Sequence, residues 1–185
     1  MATKRFSNIP NDTRVIHGFN IDSVTTAPLQ LTQYAYLEAS NVDVFEVVSD
    51  HASLHKFTKT IKHIDIDNAQ SKSQNCVDVG TLRFCRTPAM LTIQESIACW
   101  QPPLMYGYMI RNFQTILPNH LGMVLTEPIA NGHTLLTWRT YFNGKLIGGR
   151  FATLSLGIIL PDLVGNIAKH FNGRSLTAAE AQEYL

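Results

Sequence analysis

The sequence predicts an α+β domain in which one curved antiparallel sheet wraps a long C-terminal helix. Two observations carry this. Between residues 29 and 143 the chain is a succession of alternating apolar and polar runs separated by turn residues, interrupted early by two short helical stretches. The run 150–171 then changes period: Phe151, Leu154 and Ile158 are followed by Leu160, Val164, Ile167, Ala168 and Phe171, the three- and four-residue steps of a helix with one buried face. Strands segregated from helices are the α+β pattern, and a sheet of about seven strands curls and needs a filler on its concave side.

The first 28 residues are polar and carry Pro10 and Pro28, which suits an arm or extra edge segment with a short strand at 14–19. Leu29–Ala39 alternates and reads as a strand. Ser40 or Asn41 then caps a helix beginning Val42-Asp43-Val44-Phe45, and a second short helix follows Ser49-Asp50 as far as Lys59. Six strands in meander come next: His63–Ala69, Cys76–Arg86, Met90–Trp100, Leu104–Asn112, His120–Pro128 and His133–Asn143. Ala130-Asn131-Gly132 joins the last two as a hairpin. The long helix is expected to kink near Ile158–Pro161, because proline lacks a backbone donor, and to stop at Gly173. The domain is therefore expected to span 29–173, with 174–185 as a tail.

Length and composition narrow the class. The 185 residues are most simply one domain; 45% are hydrophobic, 16% are charged, and the formal net charge is +1. No global field draws such a chain to nucleic acid, and none is expected as a partner. Cys76, Cys85 and Cys99 are an odd number without metal-ligand spacing, as expected of reduced, buried thiols in the cytoplasm. The N-terminus has basic residues but no apolar run behind them, so no secretory signal is expected. The charge-free run 151–161 is shorter than the roughly 20 residues a bilayer needs, so no stable membrane insertion is expected.

The ordered set of segments resembles the START-related superfamily often called SRPBCC, with its helix-grip fold, and within it the polyketide cyclase/dehydrase branch. The resemblance rests on Val42–Asp50, on Val79-Gly80-Thr81-Leu82-Arg83, on Ile93–Ile97, on Pro102–Tyr108 and on Thr137-Trp138 before the last helix. It covers roughly residues 29–171 as an order of elements. It implies a hydrophobic cavity between sheet and helix and a small hydrophobic or aromatic ligand. The sequence itself shows no nucleotide-binding glycine motif and no metal cluster, so no obligatory cofactor is expected. One position departs from the pattern. Aromatase/cyclases place an arginine directly after the glutamate of the Glu95 strand, and here that position is Ser96. Arg83 or Arg111 on neighbouring strands are the candidate replacements.

Cyclising or dehydrating a polyketone needs a polarised carbonyl and a moved proton. The candidates for that work are Arg83, Glu95, Tyr108, Arg111 and His55. For Arg83, Arg111 and Glu95 the alternative is a surface charge in a cross-strand pair. Parity leaves two choices open: a concave Thr92/Ser96 face turns Glu95 outward, and a concave Leu91/Ile93/Ile97 face turns it inward. Candidate ligand contacts are Tyr106, Ser96, Trp138, Phe151, Leu154, Ile158 and His120, with packed core as the alternative for the apolar ones. His51 and His55 stand four apart, which suits one helix face, but no third ligand accompanies them and no metal is expected. Two functions follow: a cyclase or dehydratase on a polyketide-like intermediate, or a non-catalytic carrier or sensor of a lipid, quinone or aromatic compound. A homodimer is compatible with either.

Overall fold

A computed structural model describes residues 13–144 and 147–185; residues 1–12, the start of the expected arm, lie outside the described residues. The core of the molecule is an eight-stranded antiparallel sheet with a 24-residue helix across its concave face. Numbered along the chain, β1 (Val15–Ile16) and β2 (Phe19–Asn20) form a small hairpin of their own. The large sheet contains β3 (Leu29–Leu37), β4 (His63–Asp67), β5 (Leu82–Arg86), β6 (Thr92–Gln101), β7 (Met105–Ile110), β8 (Leu121–Pro128), β9 (Thr134–Tyr141) and β10 (Arg174–Leu176). Its spatial order is β10-β3-β9-β8-β7-β6-β5-β4, every pairing antiparallel. This is the helix-grip architecture, with one strand more than expected. The segment 174–185 is not a free tail: it supplies β10 and a short helix, α3 (Ala178–Ala181).

The local signals behave as the chemistry requires. Helix α1 (Asn41–Ser49) starts at Ser40, whose hydroxyl accepts the Asp43 amide at 3.2 Å. The second short helix, His51–Phe57, is 3-10 rather than α and ends two residues before Lys59. In the β8–β9 hairpin Asn131 and Gly132 take the positive φ angles that such a turn demands. Helix α2 (Ile147–His170) stays helical through Pro161, which is exposed. Its stop involves two residues: Asn172 adopts φ 52°, and a Cβ on Gly173 would meet the Tyr36 carbonyl oxygen at 2.0 Å. That close approach lets the chain fold straight back into β10 beside β3.

Both faces of the sheet are covered. On the concave side Leu160, Leu163, Val164, Ile167 and Ala168 of α2 pack against Leu31, Ala35, Leu37, Leu136 and Trp138. Each buried Leu, Ile or Val among them contributes about 1.5–3 kcal/mol. On the convex side Ile16 and Ile21 of the N-terminal segment cover Met105, Leu121, Met123, Leu125 and Tyr141. Cys85 and Cys99 are buried as expected, whereas Cys76 is exposed, because it sits in the polar turn before β5 and not in a strand. By length and composition alone α2 could cross a bilayer: an 18-residue window within residues 148–170 has a mean hydropathy of 1.6. The apolar stretch is thus longer than the 151–161 run considered alone, although its C-terminal half is packed into the core.

Candidate functional site

The C-terminal half of α2 seals the concave face, and its N-terminal half stands away from the sheet. Between them lies a cavity of about 310 Å³. That is roughly twice the ~150 Å³ that holds one benzene ring, so a bicyclic ligand is the natural scale. The helix contributes Ala152, Ser155, Leu156, Ile159, Leu160 and Leu163, with Phe151 at its edge. Leu54, Ile61, Ile64, Ile93, Ile110, Phe113, Ile116 and Leu117 complete an apolar lining.

One wall is polar. Arg83 and Glu95 are register partners on β5 and β6, and both side chains point to the concave side. The Leu91/Ile93/Ile97 parity is therefore the one realised. Arg83 is 3% exposed, with Nη2 2.7 Å from Glu95 Oε2. Its Nη1 donates to His51 Nδ1 at 2.9 Å, and its Cζ lies 4.4 Å from the centre of the Tyr108 ring. The Cys85 thiol donates to the same Glu95 oxygen at 3.3 Å. Trp138 Nε1 donates to the Tyr108 hydroxyl at 3.2 Å. His120 Nδ1 accepts the Ile110 amide at 3.4 Å, which puts the ring proton on Nε2.

Electrostatics leave this wall with a paired charge and several neutral donors. Burial works against the Arg83 cation, but the Glu95 carboxylate, with smaller contributions from Tyr106, Cys85 and Tyr108, outweighs it and holds the pKa above the ordinary value. Burial, reinforced by Arg83, pushes His120 down to about 3 and His51 well below its usual range, so both imidazoles are neutral at pH 7. Burial, reinforced by Glu95, raises the Tyr108 phenol and the Cys85 thiol, so both keep their protons. Two buried N–H groups, Arg83 Nε and His51 Nε2, have no hydrogen-bond partner among the described residues.

The candidates from the sequence divide sharply. Arg83, Glu95, Tyr108, His120, Trp138 and Phe151 line the cavity. Tyr106 lies beneath it, wholly buried, its hydroxyl donating to the Val48 carbonyl at 3.0 Å. Ser96 falls on the opposite parity to Glu95 and faces the convex side. Arg111 is exposed beyond the end of β7. His55 is outside the lining, its Nδ1 donating to the Ala52 carbonyl at 2.7 Å. Leu154 and Ile158 are each 68% exposed and turn away from the sheet. The inner face of α2 is instead the neighbouring stripe 152–156–159–160–163. Two partners of the Arg83–Glu95 pair were missed, Cys85 in the cavity wall and His51 behind it. Cys85 could have been found from period two, since it shares a strand face with Arg83. His51 had only its proximity to His55 as a signal. Among the described residues no cluster of three metal-ligating side chains occurs.

No known family profile and no curated protein sequence matches the chain. Solved structures do. The chain resembles the protein XoxI from Bacillus cereus with a TM-score of 0.62 at 17% identity, covering 77% of this chain and 94% of that one. A START superfamily protein from Mycobacterium smegmatis gives 0.61 at 13% identity, over 78% and 98%. The di-domain ARO/CYC protein BexL, from the BE-7585A biosynthetic pathway, gives 0.59 at 14% identity, over 82% of this chain and 53% of that one. At these identities the likeness is one of fold: the chain has a START-like helix-grip fold.

Proposed function

We propose that this chain binds a small aromatic or hydrophobic molecule carrying a carbonyl oxygen, and acts on it as a cyclase or dehydratase of a polyketide-like intermediate. The observation that carries this reading is the Arg83–Glu95 pair set into the wall of an otherwise apolar cavity. A cavity serving only to hold hydrocarbon has no use for a buried ion pair, whose desolvation is expensive. The likeness in fold to ARO/CYC proteins is consistent with it.

The chemistry follows from the donors and the acceptor. A carbonyl oxygen reaching the Tyr108 hydroxyl and His120 Nε2–H meets two neutral, preorganised donors in a water-poor site. Glu95 Oε2 is engaged by Arg83 and Cys85, which leaves Oε1 as the carboxylate oxygen for an acidic C–H. Glu95 takes the proton from the carbon between two carbonyls. The resulting enolate, held by Tyr108 and His120, attacks a second carbonyl of the same chain. The alkoxide so formed takes that proton back from Glu95. Glu95 then removes the second proton of the same carbon, and the hydroxide expelled as the ring double bond forms takes it up and leaves as water. The folded substrate owes its reactive shape to the apolar lining.

A carrier is the second reading. It is favoured by the pKa directions at the wall: His120 lies about four units below neutrality and Tyr108 above its ordinary value, which leaves Glu95 alone to move a proton.

Native mass spectrometry of the purified protein, with denaturing extraction of what it holds, tests the proposal. An aromatic or polyketone compound, converted by wild type and bound but not converted by Glu95→Gln, supports the enzyme. A lipid or quinone recovered unchanged supports the carrier. An empty protein that binds no hydrophobic dye contradicts both.

A further inference from the structure

We infer that the outer face of α2 is the interface of a two-fold symmetric homodimer, packing antiparallel on the same face of a second copy. The inference stands apart from what the cavity binds. Phe151, Leu154 and Ile158 are 63%, 68% and 68% exposed on a helix that carries no charge from 151 to 161. Three large apolar side chains in one stripe are more than the scattered singles of an ordinary surface.

The stripe has an internal symmetry that identifies its partner. At 3.6 residues per turn, Arg150, Phe151, Leu154, Ile158, Pro161 and Asp162 fall within an arc of about 120°. They pair about residue 156: Arg150 with Asp162, Phe151 with Pro161, Leu154 with Ile158. An isologous antiparallel contact brings each member against its counterpart on the other copy. Apolar side chains then meet apolar ones, and the two ends close with opposite charges, Arg150 of each copy against Asp162 of the other. All six residues are exposed, and neither Arg150 nor Asp162 makes an ion pair among the described residues. Gly157, in the middle, has nothing within 4 Å of where a Cβ would stand, so two backbones approach closely there. A bilayer fits the three apolar side chains but gives Asp162 no partner and an unfavourable anionic surface. Phe151 belongs both to the stripe and to the cavity wall, so the second copy also completes the cavity's rim.

Sedimentation velocity on the full chain between about 1 and 100 µM tests this by mass action. The expected result is a concentration-dependent dimer. Leu154→Glu, at an exposed position, yields a monomer whose thermal transition matches that of wild type diluted to where it too is monomeric. Arg150→Glu and Asp162→Arg each raise the dissociation constant about threefold to tenfold. The double variant Arg150→Glu/Asp162→Arg returns it close to wild type, because the swapped charges pair again across the two-fold axis. A wild type that is monomeric throughout overturns the inference, as does a double variant no tighter than either single one. A monomeric wild type that pellets with phosphatidylcholine/phosphatidylglycerol vesicles, and loses that through Leu154→Glu, assigns the face to lipid and likewise overturns it.

Discussion

Arg83 and Glu95 face each other at 2.7 Å across neighbouring strands, on the concave side of the sheet and out of bulk water. The carboxylate accepts from both the guanidinium and the Cys85 thiol, while the guanidinium also reaches His51 and lies over the Tyr108 ring. A pair so placed repays its desolvation only through this set of neighbours.

Glu95→Gln removes the counter-charge and strands a buried cation. It is expected to destabilise the fold by about 3–5 kcal/mol. Replacing both partners, as Arg83→Met/Glu95→Leu, is expected to recover most of that loss. Urea denaturation of the two singles and the double measures the coupling, and strict additivity of the singles would refute it.

Stability should fall as the solution is acidified from pH 6.5. His120 binds a proton in the unfolded chain at about 6.5 but in the folded chain only at about 3. Between those values the unfolded state holds more protons, so unfolding free energy drops by about 1.4 kcal/mol per pH unit from this residue alone. The downward shift of His51 acts in the same direction. His120→Gln keeps an acceptor for the Ile110 amide and should flatten the slope by about one proton. An unchanged slope would mean that His120 titrates normally.

Tyr108→Phe removes the acceptor for Trp138 Nε1–H. The buried indole donor is left unpaired, at a cost of about 1–3 kcal/mol. Trp138 emission should shift, and affinity for carbonyl-bearing ligands should fall further than affinity for hydrocarbons.

Gly122→Ala addresses the same tyrosine from behind. A Cβ at 122 would stand 2.4 Å from Tyr108 Cζ and 2.7 Å from its hydroxyl oxygen. The ring must move into the cavity or the strands must part, which costs about 1–3 kcal/mol. Ligand binding should weaken with it; binding unchanged from wild type would show that the ring has room to spare.

Much of this architecture is legible in the sequence, and the failures have physical causes. Strand β3, the cap at Ser40, the hairpin at Asn131-Gly132 and the helix at the end follow from alternation, capping and turn chemistry. The parity of β6 does not, because the N-terminal segment buries the convex face too, and a sheet covered on both sides loses its polar/apolar alternation. The inner face of α2 is hidden for a related reason: its N-terminal half is apolar on the inside at 152, 156 and 159 and on the outside at 151, 154 and 158. An α-helical wheel puts His51 and His55 on one face, whereas the 3-10 turn sends one ring inward to Arg83 and leaves the other outside the cavity. Strand β10 is three residues long and has no period to read.

The most direct measurement is a calorimetric comparison of two bicyclic probes, tetralone and tetralin, identical except for the carbonyl. If Tyr108 and His120 present donors into an apolar cavity, tetralone binds at least about tenfold more tightly, the worth of one good hydrogen bond. That advantage should disappear in Tyr108→Phe/His120→Gln while tetralin affinity stays the same. Equal binding of the two probes by wild type, or a preference for tetralin, would contradict the account.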